Sequence, residues 1–159
     1  DTEAEYHFGV IEPLVQLKKP AIRLVAKALG LPEAIYNRQP FPGPALAIRV
    51  MGEATPEEIE LLRRATKIVE EMLEPLKPAQ CSAILHTDRT LGSKDGQRRF
   101  DRIIEVTCWE TSDFITATPT EIPYALQVAL AERITREIPQ VIKVVRNITP
   151  KPPSTIEPG

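Results

Sequence analysis

The chain has 159 residues, of which 42% are hydrophobic and 26% are charged, and its formal net charge is -2. This length suits one domain with its own core, and the near balance of 20 basic and 22 acidic residues argues against a broad nucleic-acid surface. No apolar run approaches the roughly 18 residues of a membrane-spanning helix. The acidic start lacks an apolar signal segment, so we expect a soluble, cytoplasmic protein that does not bind membranes.

A helix marked by proline is predicted near the start of the chain, after a short strand or extended segment at residues 10–14. Pro20 suits the first position of a helix and Gly30 suits its end, which places the helix at residues 20–29. A single helical turn should follow at residues 32–36. The first helix is expected to direct four apolar side chains inward: Ile22, Val25, Ala26 and Leu29.

The middle of the chain predicts a strand and then a long helix. Residues 46–50 alternate in a manner typical of a strand. Thr55 and Glu58 form a capping box with Pro56 at the first helical position, and apolar residues recur at helical spacing until Pro75. We therefore expect a helix that begins after Thr55 and ends before Pro75.

The second half predicts two paired strands, a helix and a last strand. Residues 82–86 and 103–109 are β-branched or apolar and should pair antiparallel, with the polar residues 92–99 as a solvated connection. A helix should span residues 122–137 with Thr120 as its cap, and a strand should follow at 141–145. The inward side chains of that helix are expected to be Ala125, Val128, Ala129 and Ile134. This order predicts an α+β fold, a small and mainly antiparallel sheet with helices packed on one face.

The two cysteines lie apart in strand-like apolar contexts. Cys81 and Cys108 are therefore expected to be buried free thiols, in preference to a disulfide or a metal pair. With only two histidines, widely separated, the chain predicts no metal site. It also contains no nucleophile with a recognisable base and no glycine-rich phosphate loop, which disfavours an enzyme that acts alone.

The proline-rich ending indicates a ligand site. Proline fixes φ and removes a backbone donor, so Lys151 and Glu157 should be held in one extended geometry, although a disordered terminus is the alternative. Lys151 supplies a cation, and Ser154 and Thr155 follow it with backbone N–H groups, the combination that a nucleotide phosphate requires. Glu157 is suited to accept hydrogen bonds from a ribose or a base.

Four ordered motifs resemble those of GMP synthetases. Residues 38–53, which include the turn Pro40-Phe-Pro-Gly-Pro44, resemble the family's Arg-His-Pro-Phe-Pro-Gly-Pro-Gly-Leu-x-x-Arg-Val segment. Residues 110–117 are similar to its Glu-Thr-x-Asp-Phe-Met-Thr-Ala motif, and residues 11–14 to its Ile/Val-Glu-Pro-Leu. Residues 151–157 are similar to its Lys-Pro-Pro-Ala-Thr-Ile-Glu ending. The resemblance spans residues 10–157 and identifies the C-terminal dimerisation domain, with residues 1–9 as an extension or linker and residues 10–159 as the domain.

This resemblance implies a domain that forms a homodimer and binds xanthosine monophosphate (XMP), which the complete ligase converts to GMP in purine biosynthesis. ATP and Mg²⁺ are expected in an ATP pyrophosphatase domain that the chain lacks, and glutamine hydrolysis in an amidotransferase domain or subunit. The chain itself is expected to need no cofactor and not to be catalytically competent alone. The implied XMP-binding residues are Lys151, Ile156, Glu157, Gln80, Thr155 and Arg38. The implied cleft-shaping turn consists of Pro40, Phe41, Pro42, Gly43 and Pro44.

Departures from the family pattern leave alternatives open. The chain has Gln39 where the family has His, Ala45 where it has Gly, and Pro158-Gly159 where it has Trp-Glu. A purely structural homodimerisation module, or a divergent paralogue without XMP binding, would keep the fold with an altered ligand site. A small nucleic-acid-binding domain that uses the basic residues at 94–99 is a further alternative, which the net charge disfavours.

Overall fold

The computed structural model describes residues 11–37, 44–112 and 115–158. By its internal contacts the chain divides into two compact units, residues 1–39 and residues 40–159. The predicted domain bounds, 1–9 and 10–159, stay predictions. Among the described helices, none is long and apolar enough to span a membrane. Within the described part of the chain, no group of three or more His, Cys, Asp or Glu side chains is arranged to bind a metal ion.

The first unit contains helix α1 (Lys19–Ala28) and the single-turn helix α2 (Glu33–Tyr36). Pro20 lies in the first turn of α1, and Gly30 follows the helix with a φ of +76°, a left-handed conformation that glycine adopts without strain. Both predicted helices are confirmed. The predicted strand or extended segment at residues 10–14 is not a strand in its described part. None of the four residues predicted to face inward is fully buried, and Leu29 is 75% exposed.

The second unit begins with a 3₁₀-helix, Pro44–Arg49, followed by helix α3 (Pro56–Leu73) and a short 3₁₀-helix, Glu74–Leu76. Thr55 caps α3 as predicted, because its hydroxyl accepts a hydrogen bond from the Glu58 amide at 3.3 Å. The predicted strand at residues 46–50 is wrong. These residues form the 3₁₀-helix, and Val50 alone makes an isolated parallel bridge to Leu85.

A four-stranded sheet forms the centre of this unit, with strands β1 (Gln80–Lys94), β2 (Gln97–Glu110), β3 (Thr118–Pro119) and β4 (Val141–Arg146). Strand β2 pairs antiparallel with β1 and β3, and parallel with β4. Helix α4 (Tyr124–Glu137) connects β3 to β4. Parallel neighbours need a long crossover connection, and helix α4 supplies it for β4, which lies parallel to β2. The α+β class and the mainly antiparallel sheet are confirmed.

The predicted connection at residues 92–99 is shorter in the structure. Strands β1 and β2 continue through it and join at Asp95 and Gly96, whose φ angles of +53° and +75° form a two-residue hairpin turn. Residues 91–100 are called the hairpin arm below. Within it, Leu91 and Phe100 are register partners, and both are largely exposed.

The main core lies between one face of the sheet and helices α3 and α4. Alternate residues of β1 and β2 point into it, as the two-residue period of a strand requires. Helix α4 contributes Leu130 and Ile134, with Leu126 partly buried. Of the four residues predicted to face inward, only Ile134 does, since Ala125, Val128 and Ala129 are exposed. Thr120 does not cap α4, because the residue before the helix is Pro123 and it makes no side-chain cap.

Candidate functional site

The last described residues, 150–158, are called the tail segment. Its backbone joins the sheet at Lys151, which exchanges two hydrogen bonds with Ala117: the Lys151 amide donates at 2.8 Å and the Ala117 amide at 3.1 Å. The Lys151-Pro152 and Pro152-Pro153 peptide bonds are both cis. Ser154 donates its amide to the Pro150 carbonyl at 3.0 Å. The tail segment is therefore held against the domain, as the proline pattern predicted, but the turn closed by the Pro150–Ser154 hydrogen bond shows that the expected extended geometry is wrong.

A small second core holds the tail segment from its apolar side. Ile156 is buried together with Trp109, at the end of β2, and Ala117, just before β3. Trp109 is 1% exposed, so the indole is a fully enclosed surface for the isoleucine. This contact fixes the position of the residue that follows, Glu157.

The Glu157 carboxylate binds two buried side chains. Arg49 donates from Nε to Oε2 at 2.8 Å and from Nη2 to Oε1 at 2.7 Å, and Gln80 donates from Nε2 to Oε1 at 2.6 Å. Arg49 and Gln80 are each 1% exposed. Two parallel N–H···O bonds between a guanidinium and a carboxylate fix orientation as well as charge. Glu157 therefore has a defined position.

The fold explains why these three residues meet. Arg49 is the last residue of the 3₁₀-helix, which is tied to β1 where the Met51 amide donates to the Leu85 carbonyl at 2.8 Å. Gln80 is the first residue of β1 and lies opposite Trp109 in the antiparallel register. The end of the sheet thus carries both the amide that binds Glu157 and the indole that contacts Ile156.

A second carboxylate lies in the electric field of this site. Burial raises the pKa of Glu70, on helix α3, because the charged form loses contact with water. The positive charge of Arg49 acts in the opposite direction and lowers that pKa. Arg49 therefore stabilises a partly buried carboxylate on α3 as well as the one in the tail segment.

An open cavity of about 440 Å³ lies beside Lys151. Hydroxyl side chains make up much of its wall, and its carboxylate, Glu110, accepts a hydrogen bond from the Thr120 hydroxyl at 2.8 Å. The lining residues are Glu110, Thr111, Ser112, Thr116, Ala117, Thr118, Pro150 and Lys151. A lysine among hydroxyl donors is a suitable environment for an oxyanion such as a phosphate.

The structure brings together most of the residues that the sequence selected. Gln80 contacts Glu157 directly, Ile156 is buried beside them, and the Thr155 hydroxyl donates to the Glu157 carbonyl at 2.5 Å. Lys151 lines the neighbouring cavity. Arg38 and residues 40–43 of the turn lie outside the described residues, and Pro44 begins the 3₁₀-helix. Whether any of these residues binds a nucleotide stays a prediction.

Sequence patterns alone do not reveal two important residues of the site. The alternation at residues 46–50 predicts a strand and gives no functional role to Arg49. Arg49 is nevertheless the arginine of the matched Leu-x-x-Arg-Val pattern. Trp109, the single tryptophan of the chain, falls in a predicted strand without a partner. The presence of an arginine within a family motif was the available signal for Arg49. No comparable signal connects Trp109 with Ile156.

The fold and the site define a small α+β domain whose C-terminal segment is fixed by a buried ion pair next to a hydroxyl-lined cavity. A sequence model of the GMP synthase C terminal domain family matches residues 63–158, more than half of the chain, so the chain belongs to that family.

The chain is also similar to archaeal proteins that are named as one subunit of a glutamine-hydrolyzing GMP synthase. It is 48% identical to that of Pyrococcus furiosus over 150 residues, which cover 93% of this chain and 48% of the relative. It is 47% identical to that of Thermococcus kodakarensis over 150 residues, with 93% and 49% covered. The match to the Archaeoglobus fulgidus protein is 49% over 148 residues, with 93% and 48% covered. The chain thus spans about half the length of the curated relatives it matches.

Proposed function

We propose that this chain is the XMP-binding and dimerisation domain of a GMP synthase. Family membership and the similarity to GMP synthase subunits support a role as a component of such an enzyme. The observation that carries the proposal is the position of Lys151, which lies on a fixed tail segment and lines the hydroxyl-rich cavity.

The cavity is the proposed position of the nucleotide phosphate. A phosphate binds best where a cation and several hydrogen-bond donors are already positioned, because little conformational entropy is then lost on binding. Lys151 supplies the charge, while Ser112 and Thr116 supply hydroxyls in the same wall; the Thr111 hydroxyl already donates to the Thr116 carbonyl at 2.6 Å. The backbone bonds between Lys151 and Ala117 keep the main chain of the lysine in place.

Glu157 is the proposed contact for the ribose or the base. An ionised carboxylate offers about four lone-pair positions, and three hydrogen bonds from Arg49 and Gln80 already use most of them. One further donor, such as a ribose hydroxyl, can still be accommodated. The Arg49 charge offsets that of the carboxylate, which reduces the repulsion that an anionic nucleotide would experience.

In the complete enzyme we propose a division of labour between domains. An ATP pyrophosphatase domain would bind ATP and Mg²⁺ and activate XMP, while an amidotransferase domain or subunit would hydrolyse glutamine to supply ammonia. The present domain would hold the acceptor nucleotide, so its contribution to rate is proximity and orientation. It would be part of a cytoplasmic ligase of purine biosynthesis and would not be catalytically competent alone.

Homodimerisation is the second part of the proposal. The resemblance implies it, and the hairpin arm provides an apolar surface that the described residues of one chain leave uncovered, since Leu91 is 59% and Phe100 is 61% exposed. Light scattering over a range of protein concentrations measures the oligomeric state. A mass of two chains is expected, and a monomer at every concentration would overturn this part.

The ligand is tested by calorimetric titration of XMP into the chain, at a concentration where light scattering has defined its oligomeric state. The matched variants are Lys151→Ala and Lys143→Ala, the second of which removes an exposed lysine of β4 that does not line the cavity. We expect saturable binding to the chain and to Lys143→Ala, and a loss of at least about tenfold in Lys151→Ala, because a charge-assisted contact contributes about 1.5 to 3 kcal/mol.

Two other results have clear meanings. Equal XMP binding by Lys151→Ala would contradict the assignment of the phosphate site while leaving XMP as the ligand. Absence of binding by a folded dimer would favour the structural dimerisation module. Repeating the titration with an ATP pyrophosphatase domain joined to the chain then shows whether that domain completes the site.

A further inference from the structure

Two buried cysteines lie directly opposite each other on neighbouring strands. Cys81 is the second residue of β1 and Cys108 lies near the end of β2, and the two are register partners in the antiparallel ladder. They are 4% and 2% exposed, and both thiols are free. Neither residue takes part in the site described above.

The backbone hydrogen bonds reveal which kind of cross-strand pair they form. The Cys108 carbonyl accepts the Thr120 amide at 2.8 Å, and the Val106 carbonyl, two residues earlier, accepts the Asn147 amide at 3.1 Å. Both carbonyls thus point away from β1. Because the N–H and C=O of one strand residue point to the same side, Cys108 and Cys81 form a non-hydrogen-bonded pair.

This geometry suits a covalent bond between the sulfurs. Cα atoms of non-hydrogen-bonded pairs are about 4.5 Å apart, closer than in hydrogen-bonded pairs. Disulfides require a Cα separation of about 4.4 to 6.8 Å, so the position lies just inside the permitted range. The two side chains also share one face of the sheet, because directly opposite residues always do.

The thiols already interact with each other. The interaction between the two thiols raises the pKa of Cys81 and lowers that of Cys108. Burial also raises the pKa of Cys81, because the thiolate would lose contact with water. Cys108 is therefore the better nucleophile of the pair, and Cys81 is the thiol positioned to react with its oxidised form.

We propose that Cys81 and Cys108 are a site of reversible oxidation, which a peroxide converts to a cross-strand disulfide within one chain. In the first step the Cys108 sulfur attacks one oxygen of hydrogen peroxide, the O–O bond breaks, and a sulfenic acid and one water form. In the second step the Cys81 sulfur attacks the sulfenic sulfur, an S–S bond forms, and a second water leaves. The two thiols lose two electrons and two protons in total, and the peroxide gains them.

The location gives this oxidation a structural consequence. The register pair next to the cysteines is Gln80 and Trp109, which contact Glu157 and Ile156 of the tail segment. A disulfide one position away would fasten β1 to β2 at the end of the sheet that holds this segment. The proposal stands on the two cysteines alone and does not depend on nucleotide binding. Because Cys81 is only one residue from the start of β1, local opening of the strand end gives a small oxidant access.

The test begins with the chain purified in reductant, exchanged into buffer and treated with hydrogen peroxide under native conditions. After removal of the peroxide, the protein is unfolded and alkylated with iodoacetamide. We expect loss of alkylation at both cysteines, a mass decrease of two hydrogen atoms, and a cross-linked peptide that contains Cys81 and Cys108. Dithiothreitol should restore both thiols. Amide exchange should slow at residues 80–82 and 107–109 in the oxidised form.

Controls distinguish this disulfide from other oxidation products. Cys81→Ala and Cys108→Ala should each abolish the intramolecular cross-link, and the Cys81→Ala variant should accumulate Cys108 sulfenic acid, which dimedone traps. The unsubstituted chain decides the matter even if a variant fails to fold. Thiols that stay fully alkylatable, sulfinic acid as the main product, or cross-links found only between chains would each overturn the proposal.

Discussion

The tail segment and the hairpin arm differ in what holds them. The tail segment has almost no regular secondary structure, yet two buried residues bind its carboxylate and its isoleucine is enclosed with a tryptophan. Apart from its turn at Asp95 and Gly96, the hairpin arm is regular antiparallel strand, yet Leu91 and Phe100 are more than half exposed. The comparison teaches that buried side chains hold the tail segment, whereas backbone hydrogen bonds between strands hold the hairpin arm. It also explains why a segment rich in proline can position a ligand-binding residue.

The largest effect is expected from Glu157→Ala, which removes the carboxylate that Arg49 and Gln80 bind. Removing one partner of a buried ion pair costs about 3 to 5 kcal/mol, because the remaining charge stays desolvated. The free energy of unfolding from urea titration measures it, with Glu157→Gln as the control that keeps the shape and one acceptor. A loss below about 1 kcal/mol in Glu157→Ala would show that the ion pair does not fix the tail segment.

The next largest effect should come from Ile156→Ala, which opens a cavity against Trp109. Truncation of a buried isoleucine costs about 2 to 5 kcal/mol, and we expect the lower end because the segment can partly collapse. Phe100→Ala in the hairpin arm is the matched control, measured at a protein concentration where light scattering shows a monomer because Phe100 belongs to the proposed dimer surface, and it should change stability by less than about 0.5 kcal/mol. The fluorescence of Trp109 reports the Ile156→Ala substitution directly, because the two side chains are buried together. Equal effects of the two substitutions would remove the distinction between the segments.

The inner side of the hairpin arm offers a third test. A Cβ at Gly92 would lie 2.5 Å from Cγ1 and 2.8 Å from Cδ1 of Ile142, closer than carbon atoms can approach. Gly92→Ala should therefore destabilise the domain by about 1 to 2 kcal/mol through overpacking. Adding Ile142→Ala removes the clash, so the double variant should be more stable than the sum of the two single effects implies. Strict additivity in thermal or urea unfolding would contradict this contact.

The smallest effect concerns pH and Glu70, whose folded pKa is raised by burial above the ordinary value of 4.5. The folded state then binds more protons than the unfolded state, so stability falls as pH rises from below the ordinary pKa to above the raised one. Glu70→Gln lacks this titration. The stability of the variant relative to the original chain should therefore increase across that interval, as urea unfolding at several pH values measures. A constant difference would show that Glu70 has no raised pKa.

Much of the fold was predictable because local signals agreed with packing. Helix α3 combines a capping box with apolar residues at helical spacing, and both signals point to the same first residue. Strands β1 and β2 are rich in β-branched and apolar residues, and their pairing was confirmed. Strand β4 was also found where the Val-Ile-Lys-Val-Val run placed it.

The errors have physical causes. Alternation over residues 46–50 resembles a strand, but these residues form a 3₁₀-helix that places Arg49 in the interior. There its charge is compensated by the carboxylate of Glu157, which is far away in the sequence but in direct contact in the fold. In helix α4 the spacing of Ala125 and Ala129 suggests an inner face, although alanine carries little information about which side is buried. The larger Leu130 and Ile134 determine the orientation of the helix instead.

The site was only partly predictable for a related reason. Proline spacing identified the tail segment, and family motifs selected Gln80 and Glu157, because those signals lie in short stretches of sequence. The bond between Arg49 and Glu157 joins positions 108 residues apart, and nothing local to either residue indicates the other. Such a contact becomes visible only when the fold is known.

The large sequence separation of Arg49 and Glu157 also affects the order in which contacts form during folding. Bringing Arg49 and Glu157 together closes a long loop, and this closure costs conformational entropy before the ion pair can contribute any stabilisation. Local elements such as α3 and the β1–β2 hairpin should therefore form first. The Arg49–Glu157 contact then stabilises the finished domain more than its folding transition state. Its main kinetic effect should therefore be to slow unfolding, because the contact forms after the transition state and must break before the domain can unfold.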